Sequence, residues 1–379
     1  MISRRVLLQS AVAFSAFGDE LPLLRTDGTL PDPAFDALRP VNPYVVGVRP
    51  HRLGGVRLEA EALGSKRVIH NYGHGGGGIT LSWGCAARVV SMLEKSPPKS
   101  VAILGAGVIG LTTATELLRR FPKLQVTIYA KDLDPRSTTS WVAGGQFEPS
   151  GIYKEYEKAS RREEFHALMR ASHLRVKALQ NGGDRQRYGI AERKNYTLDH
   201  EIPGFDKHTP RDVVPAFKRG RLPFKSLNVV GREYTTWLQN PTLLLPALIE
   251  DLKNSGVKFV AKTFASRDEV AALPDEVIVN CTGLGAKTLF NDDKLVPQRG
   301  HLVVLQKTDP RQFYFFSGGC SNFAIAYVFC RQDDVVIGGS VVANETEPGV
   351  TDSDSATFER ILRNAKVLFG GQPEACEKK

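Results

Sequence analysis

The residues with the most specific chemistry form a glycine-rich turn, GAGVIG at residues 105–110. Gly105 permits a tight turn, Gly107 lets the backbone approach a pyrophosphate, and Gly110 lets helix and strand pack closely. A pyrophosphate there would lie at a helix N-terminus, where free N–H groups and the helix dipole favour an anion. The turn follows an apolar strand and opens a helix, which is the context that the motif requires. The pattern predicts a dinucleotide site that also includes Val108 and Ile109.

The motif alone does not distinguish NAD from FAD. An acidic residue is expected to close the second strand and to hold the ribose hydroxyls. That strand is predicted from Gln125 to Ala130 and is followed by Lys131 and Asp132, so the acid is displaced by a residue or two. Asp132 is therefore the candidate ribose ligand, and the glycine motif by itself also permits an NAD-dependent dehydrogenase.

Two further segments have residues suited to ligands: HNYGHGGGGIT at 70–80 and NCTG at 280–283. Four consecutive glycines present backbone N–H groups without side chains, which suits close approach to a flat ring or an anion. His74 is either a metal ligand or general base, or a loop histidine hydrogen-bonded to backbone, which is the commoner role. The NCTG segment is either a ligand position at the end of a doubly wound strand or a simple strand end.

Hydrophobic periodicity predicts the elements that must position these residues. They are strands over Val101–Leu104, Gln125–Ala130 and Glu276–Asn280, helices over Val108–Arg120, 155–180 and Leu243–Asn254, and β-rich segments from 298 to 340. Alternating strands and helices followed by a β-rich region predict an α/β part and a second, mostly β part.

Length, charge and cysteines restrict the remaining possibilities. A chain of 379 residues fits two domains, and no apolar run is long enough for a membrane span. The net charge of +9 is spread along the chain, so we predict no nucleic-acid partner but a solvated surface, or attraction for anionic ligands. None of the five cysteines forms a CxxC pair, and we predict no metal site.

The N-terminus, residues 1–18, has the features of a twin-arginine export signal. Residues 3–9 read SRRVLLQ and precede a small-residue, mildly apolar run. This route exports folded proteins, which would suit a cofactor loaded in the cytoplasm. The signal predicts a periplasmic or secreted protein; the alternative is an ordinary basic N-terminus on a cytoplasmic one.

Three segments taken together resemble the D-amino-acid oxidase family of FAD enzymes. They are the turn at 105–110, the stretch at 70–80 with WGCA at 83–86, and VIVNCTG at 277–283. Weaker matches are GVKF at 256–259, RG at 299–300, and Tyr327 followed by VVIGG at 335–339. The resemblance extends over nearly the whole chain beyond residue 44, and it implies FAD as the cofactor.

The order of these segments differs from that of the family. In familiar members the dinucleotide glycines open the chain and the Asn-Tyr-Gly-His-Gly-Gly segment lies near its end, whereas here that segment comes first. The chain therefore looks circularly permuted, with residues 96–100 joining the old ends. Such a change is physically reasonable because domain termini are often close and surface loops tolerate cuts.

The resemblance implies oxidative deamination of D-amino acids to keto acids, with ammonia and hydrogen peroxide as further products. The substrate's α-hydrogen would leave as hydride to flavin N5, so positioning dominates catalysis. The implied partners are a small amino acid and oxygen, with a homodimer left open. The alternatives are a glycine or sarcosine oxidase, a flavin dehydrogenase, and a catalytically silent FAD-binding protein.

The family's carboxylate-binding arginine follows a glycine and an apolar residue and precedes a proline, which here identifies Arg49 in GVRP. A guanidinium holds a carboxylate through two parallel hydrogen bonds. Tyr327 matches the second of the family's tyrosine pair, and Phe323 stands where the first would be. Gly76 matches a backbone contact to the substrate amine. Glu148 falls near a polar pocket position, where a carboxylate would favour a cationic side chain; the alternative is a solvated loop glutamate.

The implied FAD contacts extend beyond the glycine turn and Asp132. They are Thr138 and Thr139 on the phosphate side, Val257 and Gly283, and in the glycine-rich stretch Gly75, Gly78 and Thr80.

The predicted fold class is α/β plus α+β. A discontinuous Rossmann-like FAD-binding domain would be built from 44–180 and 236–300. A mostly antiparallel β-sheet substrate domain would be built from 181–235 and 301–360.

Overall fold

The structure, a computed structural model, describes residues 21–25, 27–149, 151–199, 208–317 and 326–372. The predicted export signal at 1–18 and the pocket residue Phe323 lie outside these ranges, so both stay predictions. In the described part of the chain, no helix has the length and apolar character needed to cross a bilayer.

Within the described residues, fifteen strands form two sheets. They are β1 Tyr44–Arg52, β2 Ala60–Leu63, β3 Lys66–His70, β4 Ser100–Leu104, β5 Gln125–Ala130, β6 Ile190–Leu198, β7 Lys218–Arg221, β8 Val230–Gln239, β9 Lys258–Ala261, β10 Val277–Asn280, β11 Leu295–Gln306, β12 Phe315–Phe316, β13 Tyr327–Cys330, β14 Asp334–Gly338 and β15 Val342–Ala343.

Seven α-helices and four short 3₁₀ turns accompany the strands in the described ranges. The helices are α1 Gly78–Leu93, α2 Val108–Arg120, α3 Ala159–Asn181, α4 Pro241–Asn254, α5 Arg267–Ala271, α6 Gly285–Leu289 and α7 Ser355–Phe369. The 3₁₀ turns are Gly75–Gly77, Pro135–Ser137, Ile152–Tyr156 and Asp352–Asp354.

The first sheet has six strands in the order β2-β3-β10-β4-β5-β9. All its neighbouring pairs are parallel except β2–β3. Its central strands are continuous apolar runs, as expected for a parallel sheet covered on both faces, and every residue of β10 is buried. Helices α1, α2, α3 and α4 contribute side chains to the core on one face. This is the predicted Rossmann-like part.

The second sheet has nine strands in the order β1-β11-β14-β13-β12-β6-β8-β7, with β15 beside β11. Its pairs are antiparallel except for the parallel pair β12–β6. Helix α7 buries Phe358, Ile361, Ala365 and Leu368 in the core cluster that it shares with this sheet. The predicted fold class, an α/β part beside a mostly antiparallel part, is confirmed.

The boundaries between the two parts differ from the predicted ones. Strand β1 was predicted to belong to the FAD-binding part, but it pairs with β11 along its whole length, from Tyr44↔Val303 to Arg52↔Leu295. Strand β8 crosses the predicted boundary at 236. The pattern of β1 indicates a strand but not its partner, because the partner is supplied by residues far along the chain.

The carboxyl ends of the parallel strands meet at one edge of the first sheet. Asn280, the last residue of β10, is paired in register with His70 of β3 and with Leu104 of β4. Doubly wound sheets bind ligands at this edge. The glycine turn, the glycine-rich stretch and the NCTG segment all follow strands that end there, so the fold brings them together.

Candidate active site

A cavity of about 1410 Å³ opens at this edge and continues to the second sheet. One part of its wall comes from the ends of β4, β5 and β10, and the other from β1, β11 and β13. Ligand pockets for drug-sized molecules are smaller, at roughly 300–1,000 Å³. The cavity therefore has room for a dinucleotide together with a small second ligand.

The glycine turn has the close backbone contacts that its sequence predicts. Gly105 has φ +114, and a Cβ on it would lie 2.5 Å from the carbonyl oxygen of Cys281. A Cβ on Gly110 would overlap the carbonyl oxygen of Gly105. Gly107 caps α2 in an extended conformation and supplies no side chain to the helix N-terminus. This N-terminus therefore faces the cavity with no carboxylate in its first turn, which suits a pyrophosphate.

The hydroxyl residues beside the turn contact the backbone. Thr138 donates a hydrogen bond to the Pro135 carbonyl at 2.6 Å, and Thr139 donates one to the Val48 carbonyl at 2.8 Å. Both residues line the cavity. Ser140, which sequence reasoning missed, accepts a hydrogen bond from the Val108 N–H at 3.1 Å. The segment thus lies against the α2 N-terminus and β1 together.

The far end of the cavity holds the predicted ribose ligand. Asp132 lines the wall, and its carboxylate accepts a hydrogen bond from the Asp134 N–H at 2.8 Å. Val257 is buried and lies outside this wall. Lys262 and Thr263, just beyond β9, line it instead. On this strand, the residues just beyond its end and not Val257 thus lie on the cavity wall, and the contact of Val257 with FAD stays a prediction.

The glycine-rich stretch turns sharply at the cavity. Gly75, with φ +54, begins a 3₁₀ turn that leads directly into α1 at Gly78. Gly76 is exposed on the cavity wall. Thr80 is buried outside that wall, and its hydroxyl donates to the Glu148 carbonyl at 2.7 Å. Thr80 therefore supports the segment that carries Glu148.

The NCTG segment joins the two halves of the site. The Asn71 N–H donates to the Asn280 carbonyl at 2.9 Å, which connects this segment to the glycine-rich stretch. Gly283 has φ +58, and a Cβ there would lie 3.7 Å from the Pro50 ring of β1. The strand that carries Arg49 thus lies directly against the end of β10.

His74 is a core histidine. It is 2% exposed, and its Nε2 lies 3.4 Å from the Cys85 sulfur. Burial lowers the pKa of its imidazole to about 3, which keeps the ring neutral. Among the described residues, no group of three or more His, Cys, Asp or Glu is arranged to hold a metal. The general-base and metal-ligand interpretations of His74 therefore have no structural support.

Arg49 and Tyr327 meet on the wall formed by the second sheet. The Arg49 guanidinium packs flat on Gly300 of β11, where any Cβ would overlap it, and donates to the Ser340 carbonyl at 3.1 Å. Tyr327 packs over Gly338 and Gly339 in the same way. Burial raises the pKa of the Tyr327 hydroxyl, and the positive charge of Arg49 opposes that rise. Together the two side chains present a cation and a hydroxyl to one region of the cavity.

A buried polar network supports the loop that holds Arg49. The Ser340 hydroxyl lies 2.6 Å from His301 Nδ1, and His301 Nε2 lies 2.8 Å from the Asp354 carboxylate. Arg299 forms two hydrogen bonds to the same carboxylate. Arg299 and His301 hold the pKa of Asp354 well below its usual range, with Arg299 as the larger cause. Sequence reasoning missed this network because its members are far apart in the chain.

Glu148 lies on the cavity wall near the tyrosines. Burial raises the pKa of its carboxyl to about 7. Burial is the largest cause that raises the pKa of Tyr327 and of Tyr153, which line the same wall, and the charge of Glu148 adds to both shifts. Glu148 is therefore half-buried on the wall of the cavity that also holds Arg49 and Tyr327.

The fold and the cavity define a dinucleotide-binding α/β protein whose cavity also presents an arginine and a tyrosine side chain. Comparison with known families agrees: the model of the FAD dependent oxidoreductase family DAO matches residues 100–377. The chain belongs to this family, and FAD is its cofactor. The free α2 N-terminus and the Cβ-free surfaces of Gly105 and Gly107 fit that group.

Curated relatives include oxidases of D-amino acids. The D-amino acid oxidase of Dugesia ryukyuensis is 26% identical over 286 residues, which are 72% of this chain and 79% of that protein. Human D-aspartate oxidase is 27% identical over 252 residues, 63% of this chain and 68% of that protein. Among solved structures, glycine oxidase from Bacillus cereus matches with a TM-score of 0.48 and 18% identity, covering 71% of this chain and 79% of that one.

Proposed function

We propose that this FAD-dependent oxidoreductase is an oxidase that deaminates D-amino acids. The observation that carries the proposal is the pairing of Arg49 with Tyr327 on the wall of the cavity that contains the dinucleotide turn. A guanidinium binds a carboxylate through two parallel hydrogen bonds, so Arg49 would fix the substrate's carboxylate and the direction of its α-carbon. Bound FAD supplies the two-electron acceptor.

The chain itself would supply positioning. Tyr327, held by its packing on Gly338 and Gly339, would donate a hydrogen bond from its hydroxyl to the bound carboxylate. The backbone of Gly76, exposed on the opposite part of the wall, would contact the substrate amine. Holding a substrate in a reactive geometry can contribute several kcal/mol to catalysis, about 7–11 in the best intramolecular cases.

The reaction balances without a base that acts on carbon. The α-C–H bond breaks with its electron pair, the amine lone pair forms the C=N bond, and the nitrogen loses a proton. The two electrons and two protons reduce oxygen to hydrogen peroxide. Water then adds to the imine, which gives the keto acid and ammonia. In keeping with this, burial lowers the pKa of His74 on the cavity wall to about 3, so its imidazole is too weak a base to hold a proton at neutral pH.

The D-configuration is supported by the relatives named D-amino acid oxidase and D-aspartate oxidase. It also has a physical rationale. With the carboxylate fixed at Arg49 and the amine at Gly76, exchanging enantiomers swaps the positions of the α-hydrogen and the side chain. Only one enantiomer can then direct its α-hydrogen toward the acceptor, so strict stereoselectivity is expected.

The test is peroxide release by the purified yellow protein with D- and L-amino acids, glycine and sarcosine. Peroxide from D-isomers alone supports the proposal. Peroxide from glycine or sarcosine alone would make the protein an amine oxidase of that type. Flavin bleaching under nitrogen without peroxide in air would indicate a dehydrogenase. Bound FAD that no substrate reduces would mean a catalytically silent flavoprotein.

A further inference from the structure

The segment that carries Glu148 is fixed by its backbone. The Phe147 N–H donates to the Trp237 carbonyl at 2.8 Å, and the Glu148 carbonyl accepts the Thr80 hydroxyl at 2.7 Å. The preceding residue, Gln146, forms a bridge with Leu238 at the end of β8. The backbone is therefore anchored to β8 and to α1, while the Glu148 side chain lines the cavity.

Glu148 is the unpartnered acid of this wall. Of the described residues that line the cavity, three are acidic: Asp132, Glu148 and Glu155. The Asp132 carboxylate accepts the Asp134 N–H, and the Glu155 carboxylate accepts the Gly54 N–H at 2.6 Å and lies 3.2 Å from His51 Nε2. No described residue donates a hydrogen bond to the Glu148 carboxylate or forms an ion pair with it.

The half-buried Glu148 carboxylate loses part of its hydration and gains no partner among the described residues in exchange, which is unfavourable for its charge. The cost appears as the raised pKa of Glu148, which burial alone accounts for. Neutral polar neighbours are satisfied: the Gln146 amide donates to Asn195 and to the Tyr234 hydroxyl at 3.0 and 3.2 Å. A bound cation would remove the penalty that Glu148 alone bears.

Glu148 shares its cavity with the residues proposed to hold the substrate's carboxylate. Arg49, packed on Gly300, and Tyr327, packed over Gly338 and Gly339, line the same cavity as Glu148. A ligand whose carboxylate is held at Arg49 and Tyr327 therefore lies in a cavity that also presents a negative group. The cavity thus presents a cation at one end of the substrate region and an anion near the other.

We propose that Glu148 determines specificity by binding a positively charged substrate side chain, so that the preferred substrates are cationic D-amino acids such as D-lysine and D-arginine. This inference rests on the proposed function. It also sets this protein apart from its D-aspartate oxidase relatives, because a second carboxylate on the substrate would be repelled by Glu148.

The first experiment compares D-lysine with D-norleucine, which has the same carbon chain without the ammonium group. The wild-type protein is expected to favour D-lysine in kcat/KM. Glu148→Gln keeps the size and polarity, and it should lower kcat/KM for D-lysine by roughly 10–100-fold, as for a lost charge-assisted hydrogen bond. The value for D-norleucine should change by less than about threefold. Glu157→Gln, the same substitution at an exposed position nearby, should change neither.

The second experiment needs no turnover. Binding of 6-aminohexanoate and of hexanoate is measured from the perturbation of the flavin spectrum, since both have the carboxylate and only the first has the terminal ammonium. Tighter binding of 6-aminohexanoate that disappears in Glu148→Gln supports the inference even if no amino acid is oxidised. Equal binding of the two ligands, or a wild-type preference for D-norleucine over D-lysine, would overturn it.

Discussion

Arg49 shows how a single strand residue can define a subsite. Its guanidinium is held by a glycine surface beneath it and by the Ser340 carbonyl beside it, so its orientation is fixed before substrate binds. The motif GVRP indicated the residue, but the sequence gives no sign of Ser340 as its support. Preorganisation of this kind reduces the entropy lost on binding.

Arg49→Lys keeps the charge and removes the planar pair of donors. We expect kcat/KM for the best D-amino acid to fall by about 100-fold, because a lysine ammonium cannot bind both carboxylate oxygens in parallel. Steady-state peroxide assays measure the change, and the flavin absorbance of the variant reports whether FAD is retained. Arg88→Lys, at an exposed position of α1, is the matched control. A variant as active as its control would exclude Arg49 from substrate binding.

Glu148 gives a pH dependence with a definite sign. Its carboxyl has a pKa of about 7, and a bound cation lowers that pKa, so a cationic substrate binds best above pH 7. Tyr153 and Tyr327 line the cavity with Glu148 and stay protonated in this range, and the charged residues on the same wall include Arg49, Lys154 and Glu155.

The ratio of KM values for D-lysine and D-norleucine should therefore rise as the pH falls from 8 to 6. Using a ratio cancels the titration of the α-amine, which both substrates share. In Glu148→Gln the ratio should be independent of pH over the same interval. A wild-type ratio that stays flat would mean that Glu148 does not face the side chain.

At the scale of elements, the β4–turn–α2 unit could be predicted entirely from the sequence. The predicted strand Val101–Leu104 and helix Val108–Arg120 agree with the observed β4 and α2 to within one residue. They were readable because the motif, the apolar strand and the helix start are all local. Helix α4 begins two residues earlier than predicted, since Asn240 caps it and Pro241 takes its first position.

Gly110→Ala tests the contact within this unit. The added methyl group would overlap the Gly105 carbonyl oxygen, so α2 must move away from the turn that binds the pyrophosphate. We expect at least about tenfold weaker FAD binding, in line with the roughly 1–3 kcal/mol cost of overpacking. Fluorescence titration of the apoprotein with FAD measures it. Gly183→Ala, where a Cβ meets nothing within 4 Å, is the control and should bind FAD normally.

The Asp354 network could not be predicted, because β11, β14 and α7 meet only in the folded chain. Arg299 and His301 depress the pKa of the Asp354 carboxyl. The ionised Asp354 therefore contributes to stability above the unfolded pKa of about 3.9, and this contribution is lost as the pH falls through the folded pKa. The network should therefore stay intact from neutral to mildly acidic pH.

Asp354→Asn leaves Arg299, which is 3% exposed, with no carboxylate partner. Breaking a buried pair in this way costs about 3–5 kcal/mol. We expect a loss of this order in the free energy of unfolding, measured by urea denaturation at pH 7. The KM for the substrate should rise as well, because His301 and Ser340 lose the anchor that orients the support of Arg49. Asp309→Asn, in a solvent-screened surface pair with Arg311, should change the free energy of unfolding far less.

At the scale of the whole molecule, segments that lie far apart in the chain meet around one cavity. The family match begins at residue 100, so β1 and the glycine-rich stretch precede it in the chain. In space they lie beside the glycine turn and the NCTG segment. The ends of the described chain both contact the region of β7: the Pro22 carbonyl accepts the Arg221 N–H, and a Cβ on Gly371 would lie 3.5 Å from the Ser226 carbonyl oxygen.

A rearranged chain tests whether the order is a circular permutation. The rearranged chain begins at Pro98, runs to Gln372 and ends with residues 21–97. A Gly/Ser linker of about 12 residues, which spans ~17–21 Å on average, joins Gln372 to residue 21. We expect it to bind FAD and to show the spectrum of the parent protein, because the cut lies in an exposed connection between α1 and β4. A second rearrangement, cut at Ala106 within the glycine turn, should bind no FAD. If the chain cut at Pro98 fails to bind FAD while the chain cut at Ala106 is soluble and folded, the circular permutation is contradicted.

The pairing of β1 with β11 also sets the timing of folding. Val48 lies opposite Arg299, so the strand that carries Arg49 is synthesised long before its partner. Contacts between residues so far apart in sequence form slowly, because the entropy cost of closing a long loop comes before the contacts can stabilise the chain. During synthesis β2 can pair with its neighbour β3, whereas β1 has no partner until β11 has been made. The pairing that fixes the strand carrying Arg49 is thus possible only late in synthesis.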